Sequence, residues 1–297
     1  MLTTGPHLGH RPSYVSWWLP MPTRPLVTQP FHPAGELVLT EGRMEALSRL
    51  LFVVENQRDF AVVHGPPRIG KTRLLDELAR QTTATRRPVV QLDAAGLSRA
   101  EWPAALLSAC PGSAGGTNEW IQLEDLILGW GLAGGAGLWI VDHLDRAADD
   151  LIPAVMRLLQ LLSRREVHGS LVVALDALEA LGPLRPRVEW RIELQPWTPD
   201  ETAAAIELCQ NRQTDGGPQF SRPAMAAIYE IAGGCPATTI RVCELASLAA
   251  GLYGVTSIDA QLVHDASQPL SSRPRDWTTS DLGAMTVEHA MATLLRD

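Results

Sequence analysis

The sequence predicts an α/β fold in which helices cover both faces of a parallel sheet, followed by a small helical lid domain. Two observations support this prediction. Up to Leu194, short apolar runs of strand length alternate with amphipathic stretches of helical period, which is the pattern of strands joined by crossover helices. After Leu194 only the helical period continues, and we predict no further strand.

The predicted elements follow one another without internal repeats. Strands are predicted over residues 60–64, 89–93, 138–142, 171–175 and 190–194. In the first part of the chain, helices are predicted over 44–54, after residue 70, and over 101–110, 121–130 and 152–162. In the second part, they are predicted over 199–211, 222–232, 236–253 and 259–267. Glycine-rich stretches at 111–117 and 131–137 are predicted loops.

Composition divides the chain into four predicted parts. They are an irregular proline-rich arm (1–35), an α/β domain (36–196), a helical lid domain (197–267) and a polar tail (268–297) that ends in a short helix near 284–295. The aromatic residues of the arm either pack on the domain surface or bind a partner. The lid begins at a capping box, Thr198–Glu201, with proline at the first helical position.

Charge and cysteine usage limit the possible classes of protein. Acidic residues outnumber Lys plus Arg by 33 to 25, which gives a net charge of −8 and argues against a generally basic nucleic-acid surface. The four cysteines lack metal-binding spacing, and no apolar run reaches the length of a membrane span. We therefore expect a cytoplasmic protein with reduced cysteines, no transmembrane segment and no signal peptide.

The stretch Gly65–Thr72 has the pattern G-x-x-x-x-G-K-[ST] between a predicted strand and a predicted helix, the context that identifies a phosphate-binding loop. Gly65 and Gly70 permit backbone angles and a close approach that side chains would block. Lys71 would place a charge at the β- and γ-phosphates of ATP, and Thr72 a hydroxyl at Mg²⁺. The predicted phosphate-binding set is completed by Pro66, Pro67, Arg68, Ile69 and Arg73.

The alternative interpretation of this loop is a glycine turn before a helix. Lys71 is the only lysine in the chain, since every other strongly basic side chain is arginine. Lysine and arginine differ in shape and donor geometry. A single lysine at the phosphate-contacting position therefore favours the phosphate-binding interpretation.

A second motif is the apolar strand Leu138–Asp142, about 70 residues after the loop. A buried parallel strand of this kind delivers its last side chain to the carboxyl edge of the sheet. Asp142 would there hold Mg²⁺ together with Thr72, through water. The alternative is an ordinary core strand with a solvated acidic cap.

These motifs resemble those of AAA+ P-loop ATPases of the ASCE type, in particular the ExeA-like general secretion pathway protein A group and related transposition helper ATPases. The resemblance covers residues 30–267. Its matching segments are Pro30-Phe31, 44–54, 65–72, 138–142, 171–178, 193–202 and Gly233–Pro236 before the helix that holds Arg241. Only the phosphate-binding loop is specific by itself, and the other segments match by order and spacing.

The resemblance implies roles for three further positions. Asp176, after the fourth strand, corresponds to a polar sensor near the γ-phosphate. Arg187 lies near the position of an arginine finger that serves a neighbouring subunit, although a solvated basic turn with Arg185 and Arg191 is the alternative. Arg241 resembles the second sensor, which links the lid to the γ-phosphate.

The sequence also departs from that family. His143 occupies the place of the glutamate that serves as general base, and Asp145, three residues after Asp142, is the other candidate base. Ala237 occupies the place of the usual sensor arginine. We therefore expect weak turnover that depends on Asp145 more than on His143.

The resemblance implies a Mg²⁺-dependent ATPase that drives or regulates the assembly of a protein complex, of secretion type, as a homo-oligomer with an unidentified protein partner. One alternative is a nucleotide-binding switch or scaffold with little or no hydrolysis. The other is a DNA-associated helper ATPase, which the acidic balance disfavours without excluding.

Overall fold

The computed structural model describes residues 40–110, 118–134, 137–211 and 217–271. The predicted N-terminal arm, the loop at 111–117 and the helix near 284–295 lie outside these ranges. The division into four parts likewise stays a prediction.

Five parallel strands form one sheet, and their bounds agree with the predicted ones to within a residue. The strands are β1 (Phe60–His64), β2 (Val89–Asp93), β3 (Leu138–Asp142), β4 (Ser170–Leu175) and β5 (Trp190–Glu193). Their order across the sheet is β2-β3-β4-β1-β5, so that β1 lies between β4 and β5. Neighbouring parallel strands require crossover connections, and the predicted alternation of strands and helices supplies them.

Helices cover both faces of this sheet, as the sequence predicts. They are α1 (Glu41–Glu55), α2 (Lys71–Ala84), α3 (Trp102–Ala109), α4 (Glu119–Leu132) and α5 (Ile152–Leu162). Side chains of a strand alternate between the two faces. In β1, Ala61 and Val63 pack in the core formed with α1 and α2, whereas Phe60 and Val62 pack in the core formed with α3, α4 and α5.

The second part of the chain is mainly helical and has its own apolar core. Its helices are α6 (Pro199–Asn211), α7 (Arg222–Ala232), α8 (Pro236–Tyr253) and α9 (Ala260–Ser271). The last of these continues four residues beyond the predicted end at 267. No helix in the described ranges combines the length and the apolarity needed to cross a membrane.

The prediction that no strand follows Leu194 is wrong. A two-residue strand, β6 (Gln219–Phe220), pairs in parallel with β7 (Ser257–Ile258). Each strand buries one side chain, Phe220 or Ile258, in the core of the second part. Alternation needs about four residues to be visible in a sequence, so strands this short leave no periodic signal.

The capping box at the start of α6 is confirmed. The backbone amide of Thr198 donates to Glu201 Oε2 at 2.9 Å, and the amide of Glu201 donates to Thr198 Oγ1 at 3.1 Å. Glu201 also accepts hydrogen bonds from Thr40 and from the backbone of Gly42, at the start of α1. The capping residue therefore connects the second part of the chain to the first.

Candidate functional site

Three chain segments meet at the carboxyl edge of the sheet because β1, β4 and β3 are neighbours. β1 leads into the loop at Gly65, β3 ends at Asp142, and β4 is followed by Asp176. This edge is where open parallel sheets place their ligand sites. The lateral order of the strands thus brings the loop and both acidic side chains together.

The loop itself requires glycine at two positions. Gly65 has a φ of 149°, and a Cβ there would lie 2.5 Å from the carbonyl oxygen of Leu194, which follows β5. Gly70 has a φ of 101° and forms the N-terminal boundary of α2. Helix α2 therefore begins at Lys71 with its unpaired amides at the loop, the arrangement that binds anions.

The other loop residues occupy distinct environments. Pro66, Pro67 and Arg68 are exposed, whereas Ile69 is buried in the core with α1 and α2. Arg68 has a φ of 65°, in the left-handed region. Arg73 is exposed in the first turn of α2.

Lys71 is 6% exposed and makes three polar contacts. Its Nζ donates to the carbonyl oxygens of Gly65 at 2.8 Å and Pro66 at 3.0 Å, and to Asp176 Oδ1 at 2.6 Å. The predicted lysine and the predicted sensor are therefore an ion pair, across 105 residues of sequence.

Thr72 and Asp142 are also in direct contact. Thr72 Oγ1 donates to Asp142 Oδ2 at 2.6 Å, and the backbone amide of His143 donates to Asp142 Oδ1 at 2.8 Å. Hydroxyl and carboxylate oxygens are the ligands that Mg²⁺ accepts, with phosphate and water completing its coordination. This pair of donors beside a phosphate-binding loop fits a Mg²⁺–nucleotide complex.

Asp176 is fixed from two sides. Its backbone amide donates to Asp145 Oδ2 at 3.1 Å, and its Oδ2 lies 3.6 Å from Arg146 Nη2. Burial alone would raise the pKa of Asp176. The hydrogen bond and charge of Lys71, followed by the charge of Arg146, outweigh burial and lower this pKa below its ordinary value.

The two candidate bases, His143 and Asp145, have different surroundings. Asp145 Oδ2 accepts the Asp176 amide, and its buried Oδ1 has no hydrogen-bond partner among the described residues. His143 has a left-handed backbone, with φ 52°, and its Nδ1 lies 3.0 Å from Asp93 Oδ1 at the end of β2. The carboxylate of Asp93 thus orients the imidazole of His143, whereas the hydrogen bond of Asp145 is to the backbone of Asp176.

Two residues of the site were not predicted from the sequence. Asp93 is one; its only signal is an acidic residue at the end of a strand. Arg43 is the other: it is buried, and its Nη2 donates to the carbonyl oxygen of Ile69 at 2.6 Å, which supports the loop from α1. Burial lowers the pKa of Arg43, and Glu201 partly opposes that shift. The spacing of Arg43 from Leu47 and Leu50 places it on the apolar stripe of α1 and could have revealed its burial.

The structure does not bring the predicted arginines to this site. Arg187 is exposed at the end of an irregular 3-10 segment, Leu178–Arg187, and the amide of Glu189 bonds to Phe60 at the start of β1. Arg187 therefore lies toward the edge of the sheet opposite Lys71. Arg241 is exposed on α8, and no hydrogen bond or ion pair joins it to the described part of the site.

Helix α8 nevertheless begins beside the loop. The thiol of Cys235, directly before α8, lies 3.5 Å from the carbonyl oxygen of Arg68. The backbone amide of Trp197 also donates to Gly234 at 2.9 Å. The second part of the chain therefore contacts the loop through the Gly233–Pro236 segment.

Solved structures of similar fold align with most of this chain. Cdc6p from Pyrobaculum aerophilum aligns with a TM-score of 0.65 at 17% identity, over 89% of this chain and 76% of that chain. The ORC2 protein of Aeropyrum pernix, in ADPNP–ADP complexes, aligns with a TM-score of 0.60 at 18% identity, over 90% and 78%. Drosophila ORC bound to DNA aligns with a TM-score of 0.65 at 13% identity, over 96% and 75%.

The chain has the AAA+ P-loop fold. The predicted fold class is thereby confirmed, including the parallel sheet. No family model matches the chain, and no curated protein matches it by sequence. At these identities the structural likeness concerns the fold, and the activity is argued from the site residues.

Proposed function

We propose that this AAA+ chain binds ATP with Mg²⁺ and hydrolyses it slowly to regulate the assembly of a protein complex. The observation that carries the proposal is the pair of contacts Lys71–Asp176 and Thr72–Asp142 at the loop. Each contact joins a residue of the loop motif to an acidic residue at the carboxyl edge of the sheet, at the end of β3 or directly after β4. The resulting site offers a cation, a helix N-terminus and hard oxygen donors to one phosphate chain.

Lys71 and the first amides of α2 would bind the phosphate oxygens. Thr72 and Asp142 would hold the metal, which supplies charge neutralisation at the phosphates when bound. Arg43 has a supporting role, because its hydrogen bond to Ile69 braces the loop from behind. A braced loop keeps its amides aimed at the ligand without further reorganisation.

For hydrolysis, the surroundings favour His143 as the residue that accepts the proton of the attacking water. A proton on Nδ1 would bond to Asp93, which leaves Nε2 as an acceptor. Asp145 instead holds the backbone of Asp176. Asp145, the base that the sequence favours, therefore has a structural role.

The partner and the role in secretion rest on the order of sequence motifs alone. Exposed Arg187, which lies toward the edge of the sheet opposite Lys71, supports self-association, because a side chain there could reach the site of another subunit. Slow hydrolysis within such an oligomer is suited to a switch as well as to a motor.

A DNA-associated role is the second candidate. It is supported by the fold shared with ORC in the complex described as bound to DNA. Exposed arginines such as Arg185, Arg187 and Arg191 would contact phosphates of a duplex. A salt-dependent mobility shift of duplex DNA in the presence of ATP would support this role, and its absence at low salt would exclude it.

The test of the main proposal is binding of a fluorescent ATP analogue to the wild type and to Lys71→Ala. We expect loss of binding in the variant, whereas Arg164→Ala, two residues after the end of α5, should bind like the wild type. Because Lys71 is the only lysine, a protein labelled with ¹⁵N-lysine gives one side-chain signal. That signal should shift on addition of ATP, and an unchanged signal with unchanged affinity in folded Lys71→Ala would contradict the proposal.

A further inference from the structure

Every donor of the Lys71 ammonium is already engaged in the structure. A lysine ammonium has three N–H donors, and Lys71 Nζ contacts the carbonyl oxygens of Gly65 and Pro66 and the carboxylate of Asp176. A phosphate oxygen that binds Lys71 must therefore displace one of these acceptors or share its hydrogen bond. Asp176 is the charged one of the three, and so it competes most directly with phosphate.

Contacts of the backbone hold Asp176 in position. It directly follows β4, whose residues are all buried. Leu175 is aligned with His64, the residue before the loop, in the parallel pair β4–β1. The amide of Asp176 is also anchored to Asp145. The backbone of Asp176 is therefore fixed beside Lys71, whichever acceptor the ammonium takes.

Two cations face this carboxylate. Lys71 lies 2.6 Å from one oxygen, and Arg146 Nη2 lies 3.6 Å from the other. When a phosphate oxygen binds the Lys71 ammonium, the guanidinium of Arg146 is the cation that remains to balance the negative charge of Asp176. The Arg146 side chain is 51% exposed, so that solvent weakens this compensation.

We propose that Asp176 is a specificity-determining residue that disfavours nucleoside triphosphates relative to diphosphates, and that Arg146 limits this penalty. The inference rests on the proposed function, because it assumes that Lys71 binds phosphate. A triphosphate brings one more phosphate group, with its negative charge, to the region shared by Lys71 and Asp176. A carboxylate at this position repels the more highly charged ligand more strongly. The resemblance to AAA+ sensors implies the opposite effect, in which this position assists binding of the γ-phosphate.

The experiment measures the dissociation constants of ATP and ADP with Mg²⁺ by calorimetry on the full chain. The quantity of interest is the ratio of Kd for ATP to Kd for ADP. Asp176→Asn keeps the size of the side chain and removes its charge, and we expect the ratio to fall about ten-fold. Arg146→Gln removes a positive charge beside the Asp176 carboxylate. The carboxylate should then repel ATP more strongly, and we expect the ratio to rise by roughly three-fold.

Two matched controls change the net charge by the same amount elsewhere. Glu207→Gln removes an exposed carboxylate on α6, and Arg164→Gln removes a guanidinium that pairs with Glu124. Neither residue contacts Lys71 or Asp176, and both variants should keep the wild-type ratio. A ratio that moves equally in the controls and in the test variants would overturn the inference in favour of a net-charge effect.

The remaining outcomes separate the inference from the function on which it rests. An unchanged or higher ratio in Asp176→Asn, with the wild type binding both nucleotides, overturns the inference and leaves nucleotide binding intact. A wild type that binds neither nucleotide contradicts the proposed function itself. If Asp176→Asn does not fold, the Arg146→Gln ratio decides: a rise supports the inference, and no change overturns it.

Discussion

Thr72 Oγ1 and Asp142 Oδ2 lie 2.6 Å apart although 70 residues separate them in sequence. The contact joins the first turn of α2 to the last residue of β3. Both atoms are oxygen donors of the kind that Mg²⁺ takes in phosphate-binding sites. The distance therefore turns two separate sequence motifs into one candidate metal site.

The first prediction concerns the metal dependence of nucleotide binding. Replacing Thr72 by valine removes the hydroxyl and keeps the branched shape, so ATP affinity should no longer increase when Mg²⁺ is added. Thr72→Ser retains the hydroxyl and should retain the effect. We expect a loss in Mg²⁺-dependent affinity of at least about ten-fold, the lower end of the effect of perturbing a metal site. Equal Mg²⁺ dependence of ATP affinity in the wild type and in Thr72→Val would show that Thr72 is not a metal ligand.

The second prediction concerns the catalytic base. His143→Ala should lower steady-state phosphate release by about 10²- to 10⁴-fold, the usual contribution of a general base. Asp93→Asn should lower it less, because the imidazole remains but loses the carboxylate that orients it.

Asp145→Asn provides the contrasting measurement. Its main expected effect is on the position of Asp176 and on thermal stability, since Asp145 holds that backbone. If turnover disappears in a stable Asp145→Asn protein and survives in His143→Ala, Asp145 is the base and His143 is not.

The third prediction concerns self-association. Arg187 is exposed and lies toward the edge of the sheet opposite its own Lys71, so a role as arginine finger requires another subunit. Sedimentation at tens of micromolar, roughly the range in which modest interfaces form, should show a larger species with a non-hydrolysable ATP analogue than without it. Arg187→Ala should weaken that species, whereas Arg164→Ala should not. A monomer under both conditions would count against the finger assignment.

The fourth prediction concerns the pH dependence of stability. Burial alone would raise the pKa of Glu201, but hydrogen bonds from Thr198, Thr40 and Gly42 lower it below its ordinary value. The folded state thus favours the carboxylate, so the stabilisation is fully present above the ordinary carboxyl pKa. It is lost as the pH falls through the lowered value in the folded protein.

Urea unfolding of Glu201→Gln measures this effect. At pH 7 the variant should be less stable by about 1 kcal/mol, the typical contribution of a helix cap, and the difference should shrink as the pH falls below about 4. Glu207→Gln, exposed on the same helix, should match the wild type at both pH values. A difference for Glu201→Gln that does not depend on pH would mean that packing, and not the charge, provides the stabilisation.

The local patterns of the sequence predict most of the elements. Each strand of the five-stranded sheet is an apolar run, and the buried residues of each helix recur every three or four positions. Both patterns are visible in the sequence because the buried face of an element consists of residues close together in the chain. The loop motif and the capping box were also predictable, since their hydrogen bonds join residues within about eight positions of one another. The bounds of the five sheet strands agree with the structure to within a residue for this reason.

Contacts between distant segments were decided only by the tertiary structure. No local period relates Asp93 to His143, Arg43 to Ile69, or Asp145 to Asp176. These pairs meet because β2, β3, β4 and β1 are neighbours in the sheet, and because α1 packs beside the loop. The short strands β6 and β7 likewise depend on how the helices around them pack.

The sequence by itself therefore determined that a phosphate-binding loop, an acidic strand end and a helical second part exist in this chain. Only the tertiary structure decided that Asp145 supports the backbone, that His143 has an orienting partner, and that Lys71 is paired with Asp176. The physical reason is that secondary structure follows from the burial pattern along the chain. The role of a polar side chain depends on which donors and acceptors the packed strands bring within about 3 Å of it.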